Sequence, residues 1–260
     1  MNRHARLNAL LDFIAAHGHV DVDKTARSLG VSTATIRRDL NHLHDQQLVS
    51  RTHGGAVATS VSYDLPIRYR SSKRRSEKIR IAQAAAALVG PGAVVGLNGG
   101  TTTTEVARAI ADQAAHTAGD GSRVTILTNA INIAGELTVR QHVKLVMTGG
   151  VALPQSFELT GSLAGATLRQ VELDLAIIGV DAFDADLGAR AVDEQEASVN
   201  KLMARQASRV VIVADSSKLT ARAFALICPP TAVHDLVTDR YAPTDIVRRL
   251  SEAGINVILV

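Results

Sequence analysis

Two short stretches carry side chains whose types and spacing could do chemistry. The first is Ser32-Thr33-Ala34-Thr35-Ile36-Arg37-Arg38-Asp39-Leu40-Asn41, where adjacent arginines follow a run of hydroxyl residues. A guanidinium is a planar fork of N–H donors that can hold guanine O6 and N7, or two phosphate oxygens, and hydroxyls at a helix start add phosphate donors. The second is Asn98-Gly99-Gly100-Thr101-Thr102-Thr103-Thr104. Its glycines free the backbone to turn tightly, and threonine hydroxyls with the free N–H groups of a following helix make an anion cradle. Nucleic acid suits the first stretch and a phosphate the second. Each also has a plainer reading: Arg37 and Arg38 can simply pair with Asp39 or Asp45 on a solvated helix, and a Gly-Thr run can be a turn with capping hydroxyls.

The elements that must position the arginines are short helices. Leu7, Leu10, Leu11 and Ile14 recur at helical spacing from Arg3 to Ala16, and the pattern stops at His17-Gly18-His19. Asp21 can cap a second helix with apolar positions Val22, Ala26 and Leu29, ended by Gly30. Ser32 can cap a third, whose buried stripe is Ile36, Leu40 and Leu43. At about 100° per residue from Ile36, Ala34, Arg37, Arg38 and Asn41 point away from that stripe, with Thr33 and Thr35 flanking it. This is a helix-turn-helix. Leu48 to His53 then has strand propensity and runs into Gly54-Gly55 and Ala56-Val57, which reads as a two-stranded wing with the glycines at its tip. Arg51 and His53 would touch phosphates there, and a plain hairpin is the alternative.

Residues 58–73 lack an apolar period and include Pro66, so they read as a linker between a first domain, 1–57, and a second, 74–260. The second opens on a helix, 74–88, with Glu77-Lys78 at its solvated start. Short apolar runs then alternate with helical patterns: Ala93 to Leu97, Val124 to Thr128, Val143 to Met147, Leu175 to Val180, Val210 to Ala214, Asp235 to Thr238 and Asn256 to Val260. That alternation predicts a parallel, doubly wound α/β sheet of Rossmann-like type. Ligands of such sheets bind beyond the C-terminal strand ends, where the sequence places Asn98 to Thr104, Asn129, Gly149-Gly150, Asp181 and Asp215 to Lys218. Amide, carboxylate and ammonium groups there could hold sugar hydroxyls, although each is also a common turn or cap. Neither G-x-x-x-x-G-K-[ST] nor G-x-G-x-x-G occurs, which disfavours a nucleotide kinase or a dinucleotide reductase.

Charge is unevenly distributed. Residues 1–80 hold 14 Lys/Arg against 7 Asp/Glu, a net +7, and residues 81–260 hold 14 against 18, a net −4. A basic excess confined to one small domain is the footprint of a polyanion binder. Only one cysteine, Cys228, is present, which excludes an intramolecular disulfide, and no apolar run follows Met1 or reaches the roughly 20 residues of a membrane span. A cytoplasmic protein with no membrane contact is expected.

With these residues in view, GHVDVDKTARSLGVSTATIRRDLNHL followed by RTHGGA resembles the winged helix-turn-helix of DeoR-type bacterial repressors. The resemblance runs on through the second domain, which it places in a fold shared with ribose-phosphate isomerase. It implies that Arg37 and Arg38 contact double-stranded operator DNA with Ser32, Thr33 and Thr35 nearby, and Asn41, Arg51, His53 and Gly54 complete the DNA-facing candidates. It also implies that Gly100, Thr101, Thr102 and Thr103 hold the phosphate of a sugar phosphate effector, with Asn129, Gly150, Asp181 and Lys218 around it. Asn98 and Gly99 join that set, as do Glu194 and Lys201 from AVDEQEASVNKLM, where Glu196 also lies and where a solvated helix face is equally open. Asn98 stands where many relatives carry Asp, and an amide cannot act as a general base. The expected function is a repressor of a carbohydrate-metabolism operon, with no catalytic residue, cofactor or metal, working as a homodimer or homotetramer because single recognition helices usually act in pairs about 34 Å apart. The rival is a sugar-phosphate isomerase or deaminase fused to a DNA-binding module, using Asp181 with Glu194 or Glu196.

Overall fold

The computed structural model describes residues 2–45, 48–58, 74–116 and 123–260. The linker expected over 58–73 lies, from residue 59 onward, outside the described residues. Two compact units make up the chain, Met1–Ser72 and Lys73–Val260.

The first unit runs α1 (Arg3–His17), β1 (His19–Asp21), α2 (Val22–Leu29), α3 (Thr33–Asp45), β2 (Val49–Thr52) and β3 (Gly55–Ala58). Leu7, Leu10, Leu11 and Ile14 of α1 meet Ile36, Leu40 and Leu43 of α3 in one core, closed by Val20, Val49 and Ala56. The caps act as the sequence predicts. Asp21 Oδ1 accepts from the Lys24 amide at 2.8 Å, Gly18 and Gly30 end α1 and α2 with φ of 75° and 63°, and Ser32 Oγ accepts from the Thr35 amide at 3.2 Å. Asp39 is buried and ion-paired with Arg6, which ties α3 to α1.

The wing differs from expectation in two ways. Its sheet has three strands in the order β1-β3-β2, because His19–Asp21, read from sequence as the break between the first helix and the Asp21 cap of the second, pairs antiparallel with β3. Gly55 is the first residue of β3 rather than part of the tip. It is buried against β1, and a Cβ there would stand 1.7 Å from the Val20 carbonyl oxygen. Of the two, Gly54 sits at the exposed tip, where an added Cβ would meet nothing within 4 Å.

The second unit continues with α4 (Arg75–Ala86), β4 (Val94–Leu97), α5 (Thr101–His116), β5 (Val124–Thr128), α6 (Ile131–Leu137), β6 (Val143–Met147), the hairpin β7 (Val151–Ala152) and β8 (Leu159–Thr160), and α7 (Ser162–Leu168). There follow β9 (Leu173–Gly179), β10 (Ala182–Asp184), β11 (Gly188–Ala191), α8 (Glu194–Arg205), β12 (Ala207–Val213), β13 (Ala225–Cys228), β14 (Asp235–Thr238), α9 (Thr244–Glu252) and β15 (Asn256–Leu259). The seven expected strands form one parallel sheet in the order β15-β14-β12-β9-β4-β5-β6. Strand side chains alternate between faces, so both faces must be apolar. Leu175, Ile177, Val211 and Val213 join α4, α5 and α6 on one side, while Ala176, Ile178, Val210 and Ile212 join α7, α8 and α9 on the other. Arg209 of β12 grips buried Asp235 of β14 at 2.7 and 2.8 Å, and Asn256 of β15 donates to the same carboxylate at 2.9 Å, stapling the outer strands.

Beyond the expected elements, β10, β11 and β13 form a small antiparallel sheet, and β7 and β8 a hairpin. Lys78, read as part of a solvated helix start, is buried, because it falls on the face of α4 that also buries Ile81, Ala82 and Ala85. Among the described residues no helix is long and apolar enough to cross a membrane.

Gly55→Val is expected to cost about 3 kcal/mol or more through the clash with β1, while Gly54→Ala, in open space, should cost under about 0.5 kcal/mol. Hydrogen exchange of the wing amides reads the difference, and equal protection in the two variants would refute the strand-packing role of Gly55.

Candidate functional site

In the first unit, α3 presents Arg37, Arg38 and Asn41 to solvent, while Asp39 between them turns inward to Arg6. The pairing of Arg37 or Arg38 with Asp39 or Asp45 that the sequence left open is not formed among the described residues. Arg38 Nε makes a single 3.4 Å bond to the Ala34 carbonyl. Two guanidiniums without a carboxylate partner, on the exposed face of a buried-core helix, are free to grip an acid. Ser32 is exposed, and its hydroxyl meets that of half-buried Thr35 at 2.9 Å, with Thr33 half-buried beside them. In the wing, His53 and Gly54 are exposed. Arg51 is partly spent on structure, donating from Nη1 to the Gly55 carbonyl at 2.7 Å.

In the second unit, β4, β5 and β6 step one way across the sheet and β9, β12, β14 and β15 step the other, so the direction reverses between β4 and β9. At such a switch point the flanking loops separate and open a crevice at the C-terminal strand ends. Asn98 ends β4 there and Gly179 ends β9. Asn98 is 2% exposed, its Nδ2 donates to the Gly179 carbonyl at 3.0 Å, and its Oδ1 accepts from the Gly179 amide at 2.8 Å. Asn98 thus clamps the two strands that border the crevice.

Gly99 and Gly100 follow, with Gly100 at φ 135°, and lead into α5. Thr103 Oγ1 and Thr104 Oγ1 donate back to the Gly100 carbonyl at 3.1 and 2.7 Å. The hydroxyl of Thr103 thus caps the turn into α5. What this loop offers an anion is the backbone amides of the first turn of α5, with the partly exposed Thr101 beside them.

The remaining expected residues divide. Asn129 is fully buried and donates to Glu158 Oε2 at 3.0 Å and to the Leu159 carbonyl at 3.3 Å. Gly150, at φ 139°, packs against Thr160 within the β7–β8 hairpin, so its glycine identity serves that turn. Asp181 accepts from the Val192 amide at 3.0 Å and stands 3.6 Å from Lys218 Nζ, making one ion pair on the β9–β12 side of the rim. Glu194 is exposed at the start of α8, capped by Asp193, and Lys201 is half-buried further along. The α8 residues that act on the crevice are Glu196 and Asn200, one turn apart, and both act on Glu158.

Glu158 is the residue that sequence reasoning missed. Its carboxyl lies against Gly99, where a Cβ would come within 2.5 Å of its Cγ, and it accepts from Asn129 Nδ2 at 3.0 Å, with the Gly99 amide and Asn200 beside it. Burial, followed by the nearby charge of Glu196, pushes this carboxyl up to about 8 despite those bonds. Phe157, at φ 61°, sets it in place, with the Ile131 amide bonded to the Phe157 carbonyl at 2.9 Å and the Leu159 amide to the Asn129 carbonyl at 2.7 Å. Glu158 follows no strand end of the parallel sheet, and no recognisable motif marks it.

Fold and site together define a two-unit DNA-binding regulator: a winged helix with outward arginines, and an α/β unit with a glycine loop and a helix N-terminus at the switch point of its sheet. Residues 6–61 match the family model of the DeoR-like helix-turn-helix domain, and residues 73–240 that of the DeoR C terminal sensor domain. The chain belongs to the DeoR family of transcriptional regulators. It is 34% identical over 258 residues to a putative aga operon transcriptional repressor of Escherichia coli O157:H7, covering 98% of this chain and 93% of that one. It is 28% identical to the glycerol-3-phosphate regulon repressor of Escherichia coli K12 over the whole of both chains, and 29% identical to the transcriptional repressor GlcR of Bacillus subtilis, covering 100% and 97%. Among solved structures it is similar to ribose 5-phosphate isomerase A from Methanocaldococcus jannaschii, at 19% identity and a TM-score of 0.43 over 56% of this chain and 55% of that one.

Two outcomes are expected at the crevice. Asn98→Asp removes the donor to the Gly179 carbonyl and buries an acid, which should lower stability by about 1 to 3 kcal/mol in urea melts. Glu158 keeps its proton in the folded chain at pH values where the unfolded chain, near 4.5, has lost it. Its contribution is complete below about 4.5 and lost as pH rises to about 8. Melts of Glu158→Gln across that window should therefore lack part of the wild-type decline; an unchanged slope would contradict the assignment.

Proposed function

We propose that this protein represses a carbohydrate-metabolism operon by binding its operator through α3 and the wing, and that a phosphorylated sugar held at the β4–β9 crevice controls that binding. The observation that carries the reading is one chain holding both ends of a switch. Among the described residues Arg37 and Arg38 face solvent without carboxylate partners, and a glycine loop feeds the N-terminus of a 16-residue helix at the point where the sheet reverses. Helix N-terminal amides favour a phosphate, and the Asp181–Lys218 pair and the Glu158 cluster offer polar groups for a sugar. The named relatives are repressors, which supports the same direction of control.

The DNA contacts proposed are Arg37, Arg38 and Asn41 to bases or backbone, Ser32, Thr33 and Thr35 at the helix start, and His53, Gly54 and the free edge of Arg51 to phosphates. The protein acts as a homodimer, which sets two recognition helices one DNA turn apart. The crevice binds rather than turns over its ligand: Asp181, the acid expected to move protons, is held by the Val192 amide and Lys218, and Asn98 is neutral. Coupling of about 1 to 3 kcal/mol between the sites changes operator affinity about 5- to 150-fold without chemistry.

Arg37→Ala should cost about 1 to 3 kcal/mol per half-site in operator titrations at fixed salt. Phosphorylated sugars should change wild-type operator affinity, whereas the unphosphorylated sugars should leave it unaltered. Unchanged affinity in the variant removes Arg37 as a reader, and indifference to every sugar phosphate removes the sensor reading.

A further inference from the structure

The small antiparallel sheet of β10, β11 and β13 has one face covered and one bare. Its inner face sends Ala189, Ala191 and Cys228 into the core that α8 closes with Ala197 and Met203. On the outer face Arg190 stands opposite Leu226, and continuing that register sets Val192 opposite Phe224. Residues two apart along a strand share a face, so these four form one patch. Phe224, Val192 and Leu226 are 75%, 51% and 39% exposed. Single apolar residues on a surface are ordinary, whereas an aromatic ring grouped with apolar neighbours across two strands marks a surface that another one covers.

The patch is also held ready. Arg190 Nε donates to the Ala223 carbonyl at 2.8 Å and Nη2 to the Phe224 carbonyl at 2.6 Å, so the backbone beneath the exposed ring is pinned. A surface set in advance loses little freedom on association. At one end of the patch Arg222 precedes Phe224 by two residues, and Glu194 follows Val192 by two. Both are exposed, and among the described residues neither has an ion-pair partner.

The patch also selects what covers it. Among the described residues of the first unit no large apolar side chain is exposed, so that unit has nothing to match the ring. A second copy of the sensor unit does, because it carries the same patch. Across a two-fold axis a surface meets itself, and a charge of each sign at one end then meets its opposite twice.

We infer that this outer face is where two copies of the chain join, with Phe224 at the centre of the contact and Arg222 of each copy paired with Glu194 of the other. The inference rests on the homodimer reading and names the surface that makes the dimer. A standard interface takes about 800 Å² from each partner, more than these side chains can supply, so the patch is its apolar centre and polar surface surrounds it. The face adjoins the crevice rim, because Asp181 accepts from the Val192 amide at 3.0 Å and stands 3.6 Å from Lys218 Nζ.

Sedimentation velocity of the full-length protein over a concentration series tests this. The wild type should sediment as a dimer. Phe224→Glu and Arg222→Glu should each weaken association about tenfold or more, and adding Glu194→Arg to Arg222→Glu should recover most of the loss. Circular dichroism and thermal melts check that each variant folds, and the charge reversal and its rescue carry the test should Phe224→Glu fold poorly. Dimers unaltered by Phe224→Glu and by Arg222→Glu would overturn the assignment of this face and leave the homodimer reading standing. Loss without rescue in the double variant would overturn the Arg222–Glu194 pairing, and a wild type that stays monomeric throughout would overturn both the face and the homodimer.

Discussion

The sensor unit depends on one side-chain amide. Asn98 meets the peptide of Gly179 with a donor and an acceptor at once, and so joins the ends of β4 and β9 at the place where the order of the sheet reverses. A parallel sheet has no tight turns to fix its strand ends, and at a switch point the two adjoining loops leave in opposite directions. An amide is the side chain that complements a peptide group in both its N–H and its C=O, whereas a carboxylate can only accept. With the strand ends joined, Gly99 and Gly100 turn over the edge at a fixed place. The first amides of α5 then face the crevice, and Gly179 lies close enough to Thr103 that a Cβ there would come within 3.2 Å of its methyl. The same joint that blocks a proton-transfer role for residue 98 gives the loop its shape.

The DNA-binding unit solves a different problem, holding a recognition helix rigid on a small core. Three close approaches do most of that. Leu10, Ile36, Leu40 and Leu43 are wholly buried, Asp39 is drawn under α1 by Arg6, and the wing closes on β1 because Gly55 has no side chain. Turning Asp39 inward is what leaves its two arginine neighbours without an acid partner. The charge asymmetry seen in composition thus becomes an exposed, directed pair of cations.

Much of this was legible in the sequence, for reasons that can be named. Alternating apolar residues that must face two helical layers made the seven strands visible, and caps such as Asp21, Gly30 and Ser32 act locally, so their roles survive without tertiary knowledge. The strand at His19–Asp21 was hidden because three residues carry too little periodicity, and its partner lies more than 30 positions away. At the crevice, strand-end reasoning named polar residues without showing what they bond. Thr103 and Asn98 are polar residues at the right location whose hydrogen bonds are satisfied by Gly100 and Gly179, which only the fold can show. Glu158 was invisible because it reaches the crevice from the β7–β8 hairpin, and its position depends on a left-handed Phe157 that no residue type announces. Of the α8 acids named from sequence, Glu196 faces Glu158 while Glu194 is exposed, a difference set by the phase of the helix.

Arg74, at the entrance to the sensor unit, bonds Ser216 Oγ at 2.8 Å and lies 3.4 Å from Asp215, and the turn that holds it also carries Lys218, the partner of Asp181. Asp215 in turn binds the Ser217 amide and hydroxyl, and the Ser216 amide is held by buried Asp239. This short, well-tied turn therefore has two arms: Lys218 reaches the crevice rim at Asp181, and Ser216 and Asp215 hold Arg74 in front of α4.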